Sequence, residues 1–139
     1  DYTDTHIAII NALKAGASDI YILGATGTRM DHTFTNICNM KAALDCDVPC
    51  FIYDKHNKVY LVNDHMGEVK LAKVGQYGEY VSIVPLSEEA VISLSGFKYT
   101  LDNYVLHQGL SICQSNEIKE IEAVINIKKG LVIVFETKD

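Results

Sequence analysis

From about Asn57 onward, the sequence is a series of short segments that are rich in β-branched residues and separated by Gly, Asn and Lys. The segments are KVYLV, GEVKLAKV, YVSIVPLS, AVISLSGF, EAVINI and LVIVFE, and no long helical pattern fits between them. Such runs, bounded by turn residues, are typical of strands. They predict a small antiparallel β-sandwich or barrel over residues 65–139, with a hairpin at KKG between the last two segments.

The first part of the chain has a different character, because two helical patterns alternate there with two short apolar runs. The runs DIYILGA and CFIYD predict buried strands. The first helical pattern has Thr3 or Asp4 as its candidate N-cap and Gly16 as its candidate end, and the second has Asp31 as its candidate N-cap. The apolar positions of the two patterns are Ile7, Ile10 and Leu13, and then Phe34, Ile37, Met40 and Leu44. This order predicts a parallel α/β domain over residues 1–64, packed against the β-rich half.

Composition and charge exclude several classes of protein. The chain has 139 residues, of which 48% are hydrophobic and 22% charged, as in an ordinary globular protein. A net charge of -6 argues against a general nucleic-acid binder, but a local arginine can still hold a small anion. The spacing of the four cysteines matches no zinc site, which predicts reduced, buried thiols. No apolar run approaches about 18 residues and no signal peptide is present, which predicts a soluble cytoplasmic protein with no membrane contact.

Three explanations compete for the segment GATGTRMDH, which follows the first predicted strand. A P-loop requires Lys after its last glycine, and no Lys follows Gly27. A dinucleotide fingerprint requires a third small residue, where this chain has Met30. The third explanation is a phosphate and metal site, in which Gly24 and Gly27 let the backbone turn and Arg29 offers a planar fork to phosphate oxygens.

Acidic residues accompany this segment. Asp1 and Asp4 open the first helix in DYTD, three positions apart, and Asp31 opens the second. In an open α/β sheet, ligands lie outside the carboxyl ends of the strands, and carboxylates there suit Mg²⁺ together with substrate phosphates. Taken singly, a helix cap, a first-turn acid or an exposed arginine explains each residue equally well. Their joint placement is what favours a site.

Two motifs in the first half and three segments in the second resemble the thiamin pyrophosphokinase family. DYTDTHIAI and ILGATGTRMDHTFTN are similar to the family's acidic motifs, and YVSIVPLS, LSGFKYTLDNYVLHQGLSICQSNE and INIKKGLVIV are similar to its thiamin-binding β domain. The resemblance implies that residues 1–64 are the C-terminal part of a Rossmann-like catalytic domain. The implied activity is transfer of pyrophosphate from ATP to the hydroxyl of thiamin, which gives thiamin diphosphate and AMP.

The resemblance also implies roles on the phosphate side of the site. Arg29 would hold phosphate oxygens, and Asp31 would lie near the metal and the attacking hydroxyl. The implied catalytic residues are Asp4, Arg29 and Asp31, the phosphate-binding residues are Gly24, Gly27 and Arg29, and the ligands of Mg²⁺ are Asp1, Asp4 and Asp31. His32 belongs to the motif and receives no role.

On the thiamin side, the resemblance implies three residues and a partner. Tyr99 in GFKY matches an aromatic position that stacks on thiamin, and an aromatic face suits a cationic ring. Ser115 and Asn116 in QSNE match a turn that hydrogen-bonds the pyrimidine. The family's active sites are shared across a homodimer, so Tyr99 would serve the partner copy.

The sequence departs from the family in one respect, because it contains no Gly-Gly-Asp-x-Asp metal motif. This departure predicts that the chain is a fragment, holding only part of the nucleotide and metal site and inactive on its own. The alternative function is a non-catalytic thiamin- or nucleotide-binding module. DYTD and GTRMDH argue against that alternative, because capture of thiamin alone requires neither. A β-sandwich interaction protein would leave Arg29 and Asp31 without a function.

Overall fold

A computed structural model describes residues 2–139, so the predicted metal ligand Asp1 lies outside the described residues. The helices are α1 (Asp4–Lys14), α2 (Met30–Asn39) and α3 (Lys41–Leu44). The strands are β1 (Ile20–Leu23), β2 (Cys50–Tyr53), β3 (Asn57–Asn63), β4 (Glu68–Ala72), β5 (Tyr80–Pro85), β6 (Glu89–Ser95), β7 (Leu101–His107), β8 (Glu122–Lys129) and β9 (Leu131–Thr137). The chain forms two compact units that divide between Leu61 and Val62, inside β3, whereas the sequence predicted the division between residues 64 and 65.

Helix α1 begins and ends as its sequence predicts. The hydroxyl of Thr3, the N-cap, accepts a hydrogen bond from the His6 amide at 3.3 Å. Gly16 has a φ of +80°, a left-handed conformation that closes the helix. The predicted apolar face is wrong at Ile7, which is exposed, while Ile9 is buried. Successive residues lie about 100° apart around the helix, so Ile7 points away from the side on which Ile9 is buried.

Strands β1 and β2 pair in parallel, with Ile20 opposite Cys50 and Leu23 opposite Tyr53. This pairing confirms the predicted α/β order of the first unit. The prediction that β1 is a buried strand is wrong, because Tyr21 and Leu23 are exposed. Alternate side chains of a strand point to opposite faces, and only the face that carries Ile20 is partly covered.

Helix α2 confirms the second helical pattern but corrects its start. Arg29 is the N-cap, with an extended backbone, and Asp31 lies in the first turn. The prediction of Asp31 as N-cap is therefore wrong, because its own backbone is already helical. Ile37 and Met40 are buried as predicted, whereas Phe34 is exposed. Among the helices of residues 2–139, none has the length and apolar character that crossing a membrane requires.

The second unit is built from antiparallel strands, as predicted. Strands β4, β8, β6 and β7 form a sheet in that order, and β5 pairs with β9. Strand β7 was not among the predicted segments, because Asp102 and Asn103 are unfavourable in strands. Asn103 has a φ of +47° and lies where the pairing of β7 with β6 is irregular. The predicted fold class, α/β followed by all-β, is confirmed.

The predicted hairpin at KKG is wrong, because the two strands that it joins do not pair with each other. Strand β8 pairs with β4 and β6, whereas β9 pairs with β5. Gly130 joins them with a φ of +95°, and a Cβ atom there would lie 2.6 Å from the Glu89 carbonyl oxygen. Gly130 therefore forms a tight corner, at which the chain leaves the partners of β8 and joins the partner of β9.

All four cysteines are free thiols. Cys50 is buried and Cys38 and Cys113 are half-buried, but Cys46 is exposed, so the prediction that all four are buried is wrong. Burial raises the pKa of the Cys50 and Cys113 thiols to about 11 each and also raises the pKa of Cys38. These three thiols are therefore protonated at neutral pH, and thiols react as thiolates.

Gly130→Ala should destabilise the second unit more than Gly109→Ala. Both glycines have a positive φ, which costs a side-chain-bearing residue about 1–2 kcal/mol. Only at Gly130 would the new methyl group overlap backbone, which adds about 1–3 kcal/mol. Urea unfolding of the two variants measures the difference, and equal losses would contradict the tight corner.

A thiol reagent should label Cys46 first in the native chain, because that residue is exposed while burial protects Cys50 and Cys113. The measurement is a time course with a chromogenic disulfide reagent at pH 8, compared with the Cys46→Ser variant. In that variant the fast phase should disappear. The denatured, unreduced chain should titrate all four thiols; a lower count would reveal a disulfide.

Candidate active site

The loop after β1 is anchored on two sides. Gly24 opens it with a φ of +74°, a conformation that glycine adopts without strain. The Thr26 hydroxyl donates a hydrogen bond to Asp54 Oδ2 at 2.7 Å, and Asn36 Nδ2 donates to the Ala25 carbonyl oxygen at 2.9 Å. Both the end of β2 and helix α2 therefore hold the loop.

Asp54 is a residue of this site that the sequence analysis missed. Its carboxylate accepts hydrogen bonds from the amides of His56 and Asn57, at 2.8 and 2.7 Å, as well as from Thr26. Burial raises the pKa of Asp54, but these hydrogen bonds outweigh it and hold the pKa below its ordinary value. The signal in the sequence was an Asp directly after the second parallel strand.

The two predicted phosphate-binding glycines differ in conformation. Gly24 needs the left-handed region, whereas Gly27 does not, and both have open space where a Cβ atom would lie. The Gly27 amide donates a long hydrogen bond of 3.3 Å to Thr33 Oγ1 in the first turn of α2. Of these two glycines, only Gly24 turns the backbone in a way that favours glycine.

Arg29 and Asp31 form an ion pair with two contacts. Arg29 Nη2 lies 2.6 Å from Asp31 Oδ2, and Nε donates to Oδ1 at 3.2 Å. The two side chains are 70% and 64% exposed, so solvent screens the pair and it adds little to stability. The Arg29 guanidinium holds the pKa of the Asp31 carboxyl below its ordinary value. The structure therefore brings these two predicted residues together.

Asp4 lies apart from this pair. It occupies the first turn of α1 with its side chain exposed. Among the described residues, no hydrogen bond or ion pair joins Asp4 to Arg29 or Asp31. Over residues 2–139, no group of three or more His, Cys, Asp or Glu side chains is arranged to hold a metal ion.

In the second unit, Asn116 joins the other predicted residues. Its side chain is 3% exposed. Asn116 Oδ1 accepts hydrogen bonds from the amides of Tyr99 and Glu117, both at 3.0 Å, and Nδ2 donates to the Tyr99 carbonyl oxygen at 2.7 Å. The Tyr99 side chain is 63% exposed. The structure thus fixes the backbone of Tyr99 and leaves its ring open.

The turn that precedes Asn116 is held in an unusual conformation. Cys113 and Ser115 have φ values of +76° and +51°, which non-glycine residues rarely adopt. The Ser115 amide donates to Ser82 Oγ at 2.9 Å, and Ile83 donates its amide to the Cys113 carbonyl oxygen at 2.9 Å. Strained backbone that its surroundings hold in place is common at functional sites. The sequence analysis missed Ser82, because nothing in YVSIVPLS indicates its partner.

A charged pair lies beside the Tyr99 ring. Lys98 Nζ is 5.7 Å from the ring centroid and 2.7 Å from Glu117 Oε1. Glu117 raises the pKa of Lys98, and Lys98 lowers the pKa of Glu117, so both are charged at neutral pH. One cation therefore already lies near this aromatic ring.

An open cleft of about 620 Å³ lies on the sheet that contains β4, β8, β6 and β7. Its lining includes Thr100 and Asp102, which follow Tyr99 closely in the chain, but none of Tyr99, Ser115 and Asn116. The cleft therefore adjoins Tyr99 in the chain without including any of the three predicted thiamin-binding residues.

Two family models match the chain, one over the part that contains the Arg29–Asp31 pair and one over the part that contains Tyr99. Residues 1–52 match the catalytic domain of thiamin pyrophosphokinase, and residues 68–132 match its vitamin B1 binding domain. The chain belongs to the thiamin pyrophosphokinase family. The match to the first domain contains Arg29 and Asp31, and the match to the second contains Tyr99, Ser115 and Asn116.

Relatives of known structure support membership in the family. The chain is 31% identical over 140 residues to a curated thiamine pyrophosphokinase of Bacillus subtilis. A crystal structure of thiamine pyrophosphokinase from Bacillus subtilis, also 31% identical, superposes with a TM-score of 0.92 over 100% of this chain. A crystal structure of thiamin pyrophosphokinase from Geobacillus thermodenitrificans, 31% identical, gives a TM-score of 0.88, also over 100% of this chain. This chain covers 64% and 63% of those two structures and 64% of the curated relative.

Replacing Arg29 with Ala should raise the pKa of Asp31 toward its ordinary value of 3.8, because the guanidinium stabilises the carboxylate. Nuclear magnetic resonance titration of the Asp31 carboxyl carbon measures the change, and Lys41→Ala, which breaks a separate exposed ion pair, is the control. Since the folded pKa of Asp31 lies below the unfolded value, any stability from the pair is present above the unfolded pKa and is lost as pH falls through the folded one. An unchanged Asp31 pKa in Arg29→Ala would show that the pair does not form in solution.

Proposed function

We propose that this chain is part of an enzyme that transfers the pyrophosphoryl group of ATP to the hydroxyl of thiamin. The hydroxyl oxygen forms a bond to the β-phosphorus of ATP, the bond between that phosphorus and the α-phosphate oxygen breaks, and thiamin diphosphate, AMP and a proton are released. The observation that carries this proposal is the match of one chain to both a catalytic and a vitamin B1 binding domain.

Arg29 is proposed to bind phosphate oxygens of ATP. It lies at the end of an anchored loop that leaves the carboxyl end of β1, where open α/β sheets bind their ligands. Its guanidinium already makes two contacts with a carboxylate, and a phosphate offers the same spacing of oxygens. Transfer of a phosphoryl-type group depends mainly on position and charge neutralisation, which Arg29 supplies. Gly24 and Gly27 are proposed to let the phosphates approach the loop backbone.

Asp31 is proposed to lie beside the attacking hydroxyl and to act through its charge. Its lowered pKa keeps the carboxylate ionised at neutral pH. A carboxylate of low pKa is a weak proton acceptor, so a role in positioning Arg29 and the hydroxyl is favoured over proton abstraction. Asp31 also orients the guanidinium of Arg29 through its two contacts.

The residues present do not complete a site for Mg²⁺. This ion takes one or two carboxylates together with substrate phosphates and waters. In the described part of the chain, Asp31 is bound to Arg29, Asp4 stands apart, and no group of three candidate ligands converges. Mg²⁺ would enter the site with ATP, and Asp4 would offer it a carboxylate.

On the thiamin side, Tyr99 and Ser115 are proposed as direct contacts. The Tyr99 ring is 63% exposed, so its face is available to a cationic ring such as the thiazolium of thiamin, and Glu117 offsets the charge of the nearby Lys98. Ser115 is exposed on a turn that Ser82 holds, so its hydroxyl is available to the pyrimidine.

We further propose that two copies share their sites in a homodimer and act in the cytoplasm, where free thiols persist.

The alternative is a module that binds thiamin or a nucleotide without catalysis. The match of residues 1–52 to a catalytic domain does not favour it. Product formation distinguishes the two functions, because only the enzyme converts thiamin and ATP to thiamin diphosphate and AMP.

Asp31→Asn in the full-length protein should lower the formation of thiamin diphosphate at least about 100-fold, the effect of misplacing reacting groups by about 1 Å. Stability should change little, because the ion pair is exposed and solvent screens it. The control is Asp45→Asn, which removes a comparably exposed carboxylate from the pair with Lys41. Chromatographic assay of thiamin diphosphate and AMP measures activity, and calorimetry measures unfolding. Full activity in Asp31→Asn would remove Asp31 from the site, and no turnover by the unmodified enzyme would refute the proposed function.

A further inference from the structure

The side chain of Asn116 is held inside the protein by hydrogen bonds at both its oxygen and its nitrogen. Its Oδ1 atom accepts two backbone amides, which occupies both lone pairs of an amide oxygen. Its Nδ2 atom donates to the Tyr99 carbonyl oxygen at 2.7 Å. With 3% of the residue exposed, Asn116 has no acceptor left for a ligand and almost no surface that a ligand would reach.

The backbone of Asn116 is fixed as firmly as its side chain. Asn116 donates its amide to the Val81 carbonyl oxygen at 2.9 Å and accepts the Val81 amide at 2.8 Å, as in an antiparallel bridge. Next to it, the Lys98 amide donates to the Glu117 carbonyl oxygen at 2.9 Å. Asn116 is therefore an anchored support between strand β5 and the segment that carries Tyr99.

Both polar groups of the Tyr99 main chain form hydrogen bonds with Asn116. The Tyr99 amide and carbonyl oxygen both pair with the same side chain, which imitates the neighbour of a β-strand. The ring itself stays 63% exposed. A ring that is free to meet a ligand while its backbone is fixed loses little further freedom on binding.

We propose that Asn116 is a positioning residue that acts on thiamin through Tyr99 and does not contact the pyrimidine. The inference rests on the proposed function, in which the Tyr99 ring receives thiamin. It changes the assignment expected from the sequence, where Asn116 and Ser115 both contact the ligand. Ser115 keeps that role, because its side chain is exposed on the same turn.

The two roles of Asn116 differ in how its effect combines with that of Tyr99. A positioning residue loses its effect once the Tyr99 ring is gone, whereas a direct contact with the pyrimidine keeps it. A double-mutant cycle separates the two cases. The roles also differ toward oxythiamin, in which an oxo group replaces the 4-amino group of the pyrimidine. A direct hydrogen bond would discriminate between the two ligands, but support of a stacking ring would not.

The experiment measures thiamin and oxythiamin affinity of the full-length enzyme by calorimetry. We expect Asn116→Ala and Tyr99→Ala each to lower the affinity for thiamin about 10-fold, the scale of the lost hydrogen bonds and of a cation–π contact. The double variant should bind no more weakly than Tyr99→Ala alone. Asn116→Ala should weaken oxythiamin by the same factor as thiamin. The matched control is Asn63→Ala, which removes a different Asn hydrogen bond to a turn amide and should leave both affinities unchanged.

Hydrogen exchange provides a readout that does not depend on the ligand. The Tyr99 amide should exchange faster in Asn116→Ala, since its acceptor is removed, and at the unmodified rate in Asn63→Ala. If Asn116→Ala fails to fold, Asn116→Ser takes its place. The serine hydroxyl can accept one of the two amides, so an intermediate loss of affinity is expected.

Three outcomes would overturn the inference. They are additive losses in the double variant, a loss for thiamin that is not matched for oxythiamin, and an unchanged thiamin affinity in Asn116→Ala with faster Tyr99 exchange. Failure of the proposed function has a different signature, because the unmodified enzyme would then form no thiamin diphosphate, whatever its affinity for thiamin.

Discussion

The parallel pairing of β1 with β2 is the constraint on which the phosphate-side site depends. Parallel neighbours end at the same edge of a sheet, so the loop after β1 and Asp54 after β2 meet there. The hydrogen bond from Thr26 to Asp54 then joins the two strand ends. The loop held in this way leads directly to Arg29, which is the N-cap of α2 and pairs with Asp31. The pairing of these two strands of four residues each therefore determines where Arg29 and Asp31 lie.

The sequence predicted those parts of the fold that local patterns determine. The helix ends at Thr3 and Gly16, the strands β1 and β2, and most of the later strands follow from capping residues and apolar runs. Its errors lie where burial depends on distant partners. Tyr21 and Phe34 are apolar and in the expected elements, yet both are exposed, because periodicity gives the orientation of a side chain and not what covers it. The hairpin predicted at Gly130 is wrong for the same reason, because local turn residues do not show which strands pair.

The site residues show the same limit at the level of single side chains. The motif GTRMDH places Arg29 and Asp31 two positions apart, which was enough to predict that they act together. It did not reveal which of them caps α2, because either residue can start a helix. QSNE identified a turn, but only the structure shows that Asn116 is turned inward to Tyr99 while Ser115 faces outward. Ser82 and Asp54 belong to no motif, and the partners that join them to the site, Ser115 and Thr26, lie 33 and 28 residues away in the sequence.

The corner at Gly130 also has a consequence for how quickly the second unit folds. If β8 and β9 paired with each other, one short loop would join them and the pair would form early. Instead, Ser82 of β5 pairs with Phe135 of β9, and Glu68 of β4 pairs with Asn126 of β8, so long stretches of chain must be ordered first. Contact order is high for such a topology, and folding rates fall as contact order rises. Tyr99, by contrast, lies in the short connection between β6 and β7, which pair with each other, so its segment depends on local contacts that close a small loop.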